Sequence, residues 1–325
     1  MTLRAGPGTP LAANFREYAA TATPWTGRDG AVLSSFGGAI IQTGGWNSLS
    51  PFDGHKTTNE IWKYDGAWSL LLANDYATTT RPPPMHTAPT FVHNGKLFVL
   101  GSDIFNGPQN DVGTGAGTAT VWMATSPTSW TLKTSSAAFG PCVLHVGASY
   151  AGKMWCGLGQ TGNTPGTARK SWFGSSDDGA TWQQYQDFPG AARGMIYDPF
   201  EWNGELWIIG GGTYDEDPGN RTYYNGIYAW NGSTWRTVVA DGASPIEARE
   251  YHRTLVFGGA MCVINGYGAG GNIASFQWSD NGTDWATRPF LWSASHGDGI
   301  CVHNGSLYMG PGNHGGQSLW RVEMF

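Results

Sequence analysis

A short polar turn followed by an apolar strand recurs six times along the chain. The copies are Phe36-Gly37-Gly38-Ala39, His93-Asn94-Gly95-Lys96, Tyr150-Ala151-Gly152-Lys153, Trp202-Asn203-Gly204-Glu205, Phe257-Gly258-Gly259-Ala260 and His303-Asn304-Gly305-Ser306. Between second turn residues the steps are 57, 57, 52, 55 and 46 residues. Asn-Gly and Gly-Gly suit a two-residue hairpin turn, whose central residues take positive φ. The strand after each turn usually ends in glycine, as in Leu97-Phe98-Val99-Leu100-Gly101 and Leu206-Trp207-Ile208-Ile209-Gly210-Gly211. A third, aromatic strand and a polar turn then lead to a fourth strand that usually opens with Trp68, Trp130, Trp182, Trp235 or Trp285. Four strands per period of roughly fifty residues predict an all-β six-bladed β-propeller of four-stranded antiparallel blades.

Five such tryptophans for six hairpins leave one fourth strand to be found. The C-terminal run Ser318–Phe325 reads as a third strand, and the N-terminal run Asn14–Ala19 is extended and unassigned. From Trp285 to Phe325 is 40 residues, and 15 more reach Phe15, a total that matches the period. The N-terminal strand is therefore expected to complete the last blade and close the ring, which removes the exposed sheet edges. The blades are expected near 30–74, 86–135, 145–187, 194–240, 250–288, and 296–325 with 14–20, as one domain over 1–325.

Composition narrows the partners. Of 325 residues, 49 are glycine and 17 tryptophan, and six of the 18 cationic side chains are lysine, with a net charge of −6. No basic stripe is present for a phosphate backbone, so nucleic acid is not expected as a partner. No stretch approaches a membrane-spanning length, and the first residues lack the apolar core of a secretory signal. Cys142, Cys156, Cys262 and Cys301 have no zinc-ligand spacing. They are expected as buried thiols, with a Cys142–Cys156 pairing left open. No metal or cofactor is expected. The acidic run Asp215–Asn220 lacks calcium-loop spacing and reads as a solvated tip.

The repeat resembles kelch repeats, with diglycines at Gly44-Gly45 and Gly210-Gly211 and the fourth-strand tryptophans. Ser175-Ser176-Asp177-Asp178-Gly179-Ala180-Thr181-Trp182 also resembles the Asp-box of sialidase-type propellers, and Trp278–Trp285 is a partial copy. That resemblance implies a structural hairpin there, remote from any catalysis. The sialidase motif Arg-Ile-Pro has no counterpart, because Phe15-Arg16-Glu17-Tyr18 departs from it.

Up-and-down strands put the tight turns on one face and the links between strands two and three, and between blades, on the other. The long loops Trp46–Thr58, Ser102–Thr118, Gln160–Lys170 and Gly212–Asn225 share that second face, where loops of such length usually carry function. The residues that open each first strand are expected to ring the channel mouth there: Arg28 and Asp29, Arg81 and His86, His145, Arg193, Arg249 and His252, His296 and Asp298. Guanidinium forks match carboxylate or sulfate, so the cluster suits an anionic sugar; the competing reading is that these arginines tie adjacent blades. Trp25, Trp46 and Trp292 fall outside the repeat on that face, with Tyr214, Tyr223, Tyr224 and Tyr267. Exposed rings stack on sugars, so Trp46, Trp292, Tyr214 and Tyr224 join the candidate contacts, unless they pack the loops onto the ring.

These features lead to an expectation of a carbohydrate-binding attachment module for surface polysaccharide. Its resemblance to propeller components of phage and phage-like particles implies a virion or extracellular setting and other particle proteins as partners. A polysaccharide lyase or glycoside hydrolase acting on acidic glycans, and a kelch-type protein-interaction scaffold, are the alternatives.

Overall fold

The structure, a computed structural model, describes residues 15–25, 27–49, 51–52, 54–104, 117–162, 164–194, 198–288, 292–312 and 317–324. The ends Met1–Asn14 and Phe325, and residues 105–116 of the Ser102–Thr118 loop, lie outside the described residues.

Six four-stranded antiparallel sheets make the propeller. Blade 1 comprises Val32–Phe36, Ala39–Thr43, Ile61–Tyr64 and Trp68–Leu72. Blade 2 comprises Thr90–His93, Lys96–Leu100, Val121–Ser126 and Ser129–Thr134. Blade 3 comprises Val146–Tyr150, Lys153–Gly157, Trp172–Ser175 and Gln183–Gln184. Blade 4 comprises Phe200–Trp202, Glu205–Ile209, Ile227–Trp230 and Trp235–Val239. Blade 5 comprises Arg253–Phe257, Ala260–Ile264, Phe276–Ser279 and Ala286–Arg288. Blade 6 combines Ile300–His303, Ser306–Met309 and Ser318–Met324 with the N-terminal strand Phe15–Ala22. That last pairing runs from Phe15 opposite Met324 to Ala22 opposite Ser318, with one irregularity between Ala19 and Thr21. The ring is closed by the two ends of the chain, as the period implies.

All six hairpins use the same backbone. The central residue pairs Gly37-Gly38, Asn94-Gly95, Ala151-Gly152, Asn203-Gly204, Gly258-Gly259 and Asn304-Gly305 all have positive φ, between 48° and 79°. Glycine and asparagine tolerate that conformation; Ala151 at φ 50° is the exception.

The core lies between blades. In the seam of blades 3 and 4, Trp155, Trp172 and Trp230 are buried with Leu206 and Ile208. Trp155 stacks parallel on Trp172 at 6.0 Å and meets Trp230 edge-on at 5.3 Å. The periodic tryptophans cap these seams from the rim. Trp182 is buried, whereas Trp68, Trp130, Trp235 and Trp285 are half-buried. Trp130, Trp182 and Trp285 each donate an indole N–H to the carbonyl three residues earlier, at 3.0–3.2 Å. In the turn before Trp182, Asp177 accepts from Ser175 Oγ, Thr181 N and Thr181 Oγ1, so its carboxylate holds the hairpin. Cys142, Cys156 and Cys262 are buried free thiols, and Cys301 is a partly buried one.

One residue with no motif joins four blades at the axis. Arg253, 1% exposed, donates to Asp198 Oδ2 at the entry to blade 4 (2.9 Å) and to the Ala31 carbonyl before blade 1 (2.7 Å). Its Nε bonds the Asp298 carbonyl before blade 6. Beside this hub the inner strands of blades 4, 5 and 6 bound a cavity of about 270 Å³, lined by Asp198, Thr254, Val256, Cys301 and Val302.

Candidate functional site

Among the described residues, five of the links that enter the inner strands share one conformation. Gly30, Thr87, Leu144, Tyr251 and Gly297 all have φ between 54° and 68°. Three of these are not glycine, and Leu144 and Tyr251 are buried. The surrounding structure therefore holds a backbone that the side chains disfavour, a condition common at functional sites. The links are also bonded to one another: Gly30 N donates to Gly297 O, and Gly297 N donates to Tyr251 O, both at 3.0 Å.

The residues before four of these positions, and Gly194 in the link to blade 4, pair with the loop that follows the second strand. These bridges are Asp29 with Trp46, His86 with Asp103, Val143 with Gln160, Gly194 with Gly212, and Glu250 with Tyr267. The ring at the mouth thus consists of Asp29, His86, Val143, Gly194 and Glu250, with His296 in the equivalent place of blade 6.

This register sorts the residues expected at the mouth. Arg28, Arg193 and Arg249 stand one position earlier, where the side chain turns down into a seam; each is at most 1% exposed. Arg28 pairs with Glu60 (3.3 Å), Arg193 with Asp241 and the Gly210 carbonyl (2.8 Å), and Arg249 with Ser275, Gln277 (both 2.8 Å) and the Asn265 carbonyl (2.9 Å). Each ties its link to the blade it enters or to the link that leaves that blade. Burial lowers Arg28 and Arg249 to about 10. Arg81 is buried against the Ala73 carbonyl and Asn59, beside a cavity of about 30 Å³ between blades 1 and 2, room for a water.

His145 and His252 stand two positions after the mouth residue and are buried in the seams. His252 Nε2 lies 2.9 Å from the Ile209 carbonyl, and neither ring nitrogen of His145 has a hydrogen-bond partner among the described residues. Trp292 is 5% exposed, with its indole N–H on Asn265. Tyr224 lies under the Arg193 guanidinium at 4.1 Å. Trp25 is buried edge-on against Trp68 at 4.4 Å. Asp298 is buried, accepting from Ser295, Asn265 and Gly312 N. Burial puts Arg28, Arg193, Arg249, His145, His252 and Trp292 out of a solvent-borne ligand's reach.

Five expected residues do meet at the mouth: Asp29, His86, His296, Trp46 and Tyr214. His86 Nε2 and His296 Nε2 approach the same Asp29 Oδ2, at 3.5 and 3.6 Å. Burial alone would raise the Asp29 carboxyl, but His296 and then His86 outweigh it and hold it well below the usual range. His296 Nδ1 meets Asn272 Oδ1, and its ring lies edge-on to Tyr251 (5.1 Å) and Tyr267 (5.2 Å). The Trp46 ring is 6.0 Å from His86 and half-buried.

Two further members, Arg221 and Glu250, were not anticipated from sequence. Arg221 Nη1 donates to Glu250 Oε1 at 3.2 Å, and its Nε to the Asp215 carbonyl at 2.7 Å. The guanidinium lies over Tyr214 at 4.4 Å and near Tyr267 at 5.6 Å. Burial pushes Glu250 up to about 8; Arg221 opposes that and Asp29 adds to it. The loop that delivers Arg221 is a small hairpin of Gly212–Thr213 with Thr222–Tyr223, and its exposed tip carries the acidic run, where Asp217 accepts from Gly219 N. The one signal in the sequence was an arginine flanked by tyrosines at Tyr214, Tyr223 and Tyr224 in a long loop. Among the described residues no group of three His, Cys, Asp or Glu side chains is placed to hold a metal ion.

No family model and no curated protein matches the chain. Among solved structures the chain is similar to the one described as "Structure of YjhT", with 16% identity and a TM-score of 0.67 over 93% of this chain and 95% of that one. At that identity the likeness speaks for the propeller fold.

Proposed function

We propose that the protein is a carbohydrate-binding attachment module that takes surface polysaccharide at the loop-bearing mouth. The observation that carries this reading is the meeting of half-buried rings with charged groups at one mouth: Trp46, Tyr214, Tyr223 and Tyr267 beside Asp29, His86, His296, Glu250 and Arg221. Flat aromatic faces next to fixed polar groups suit sugar rings, which present an apolar face and a polar edge. The kelch-like and Asp-box-like features of the sequence, and its resemblance to propellers of phage and phage-like particles, support a place on a virion or another extracellular particle, with other particle proteins as partners. The scarcity of exposed large apolar side chains among the described residues of this face favours a protein-interaction scaffold less. On this face the described residues include one that is strongly exposed, Leu49 at 82%.

Trp46→Ala tests the site on a glycan array spanning uronate, sialate, sulfated and neutral polysaccharide fragments. Binding by the parent protein and a loss of roughly tenfold in the variant, about 1.4 kcal/mol, is the expected outcome. Unchanged affinity would place the sugar elsewhere.

A second reading, acid–base chemistry on an acidic glycan, is favoured by one observation. Glu250 and Asp29 are driven in opposite directions, one held largely protonated near neutral pH and the other ionised. Release of unsaturated uronate or new reducing ends by the parent protein, abolished in Glu250→Gln, would select it over simple binding.

A further inference from the structure

Arg221 is held in a way that leaves its charge available. Its plane is fixed between Tyr214 and Tyr267, its Nε is anchored on the Asp215 carbonyl, and Glu250 is the carboxyl that meets it. The Arg221 side chain is 12% exposed, whereas Glu250 is 3% exposed beneath it. The two come from different blades, Arg221 from the second-to-third-strand loop of blade 4 and Glu250 from the link into blade 5. An arginine with its plane and one nitrogen fixed in advance loses little freedom when it takes a planar or tetrahedral oxyanion.

We propose, building on the glycan-binding reading above, that this mouth selects acidic glycans, and that the ligand's carboxylate or sulfate takes the Arg221 guanidinium from Glu250. Glu250 is the internal hydrogen-bond acceptor whose place on Arg221 the ligand's anion takes. It faces Arg221 above, Asp29 across the mouth, and the phenols of Tyr223 and Tyr251. Its carboxyl, raised by burial to about 8, takes up a proton readily when displaced, so the exchange leaves no second buried anion beside Asp29. Affinity for an acidic glycan is therefore highest below the Glu250 value, where that carboxyl is neutral. It falls up to tenfold per pH unit above the Glu250 value as the ionised carboxylate competes for Arg221.

The test uses the full chain on the same array, with pH titrations of the strongest members. Acidic fragments are expected to dominate, with uronate against sulfated members telling which anion fits. Arg221→Lys keeps the charge but loses the fork, and is expected to weaken acidic members roughly tenfold or more while leaving any neutral member unchanged. Glu250→Gln retains acidic binding and abolishes its alkaline decline, so it reports even if Arg221 variants are unstable. Binding confined to neutral members, or an alkaline decline that survives in Glu250→Gln, overturns the exchange while leaving glycan binding standing. Binding of no member at all overturns both.

Discussion

Glu250 and His252 are two residues apart in one link, and burial acts on both, yet the outcomes differ because one becomes charged by losing a proton and the other by gaining one. Glu250 is pushed up to about 8, and His252 is pushed down to about 3, by burial first and then by Arg249. His145, in the same place in blade 3, is likewise lowered to about 3, by burial first and then by Arg169. A histidine with a depressed folded value stabilises the fold above its unfolded value near 6.5. That contribution is lost as pH falls toward 3. Full protonation would cost on the order of 4–5 kcal/mol per histidine by the linkage relation. His145→Phe, which keeps the ring beside Phe139, is expected to move the acid-unfolding midpoint to lower pH in a circular dichroism titration. An unmoved acid limb would refute burial as the cause. The sequence showed that histidines and arginines gather where inner strands begin, but not which way each points. The deciding fact is a left-handed backbone at Thr87, Leu144 and Tyr251, residues that carry no signal for it. A single position separates Asp29, at the mouth, from Arg28, in the seam.

At the scale of elements the hairpins were the most legible part of the chain. Asn-Gly and Gly-Gly are demanded by positive φ at two successive residues, so five of six turns announced themselves by chemistry alone. The sixth, Ala151-Gly152, was legible by its spacing. Ala151 is exposed in a left-handed backbone, so Ala151→Gly is expected to raise stability by about 1 kcal/mol or a little less. Urea unfolding at neutral pH checks this; a destabilised variant would mean that the alanine side chain packs more favourably than the backbone cost. The long loops were legible as places and not as structures. In 212–225 the acidic tip drew the eye, but the small hairpin turns that tip outward and brings Arg221 inward onto Tyr214 and Tyr267. Its orientation depends on a bridge from Gly194 to Gly212, a contact between elements that no local pattern encodes.

For the whole molecule, closure creates the site. The N-terminal strand paired with Ser318–Met324 fixes blade 6 against blade 1, and that seam brings His296 from one link onto Asp29 of the next. Arg253 then ties the links from beneath, joining blades 1, 4, 5 and 6 through buried and partly buried bonds. The count of blades and the closing strand could be read from the repeat spacing. The hub could not, because Arg253 is one arginine among several near an inner strand and its role depends on partners up to 222 residues away. The account stands on where a bound glycan lies. The most direct measurement is a crystal structure with the strongest acidic fragment from the array. We expect its sugar rings against Trp46 and Tyr267 and its anion on Arg221, with the Glu250 carboxyl displaced. A fragment seated on the tight-turn face or along the blade rims would contradict the account.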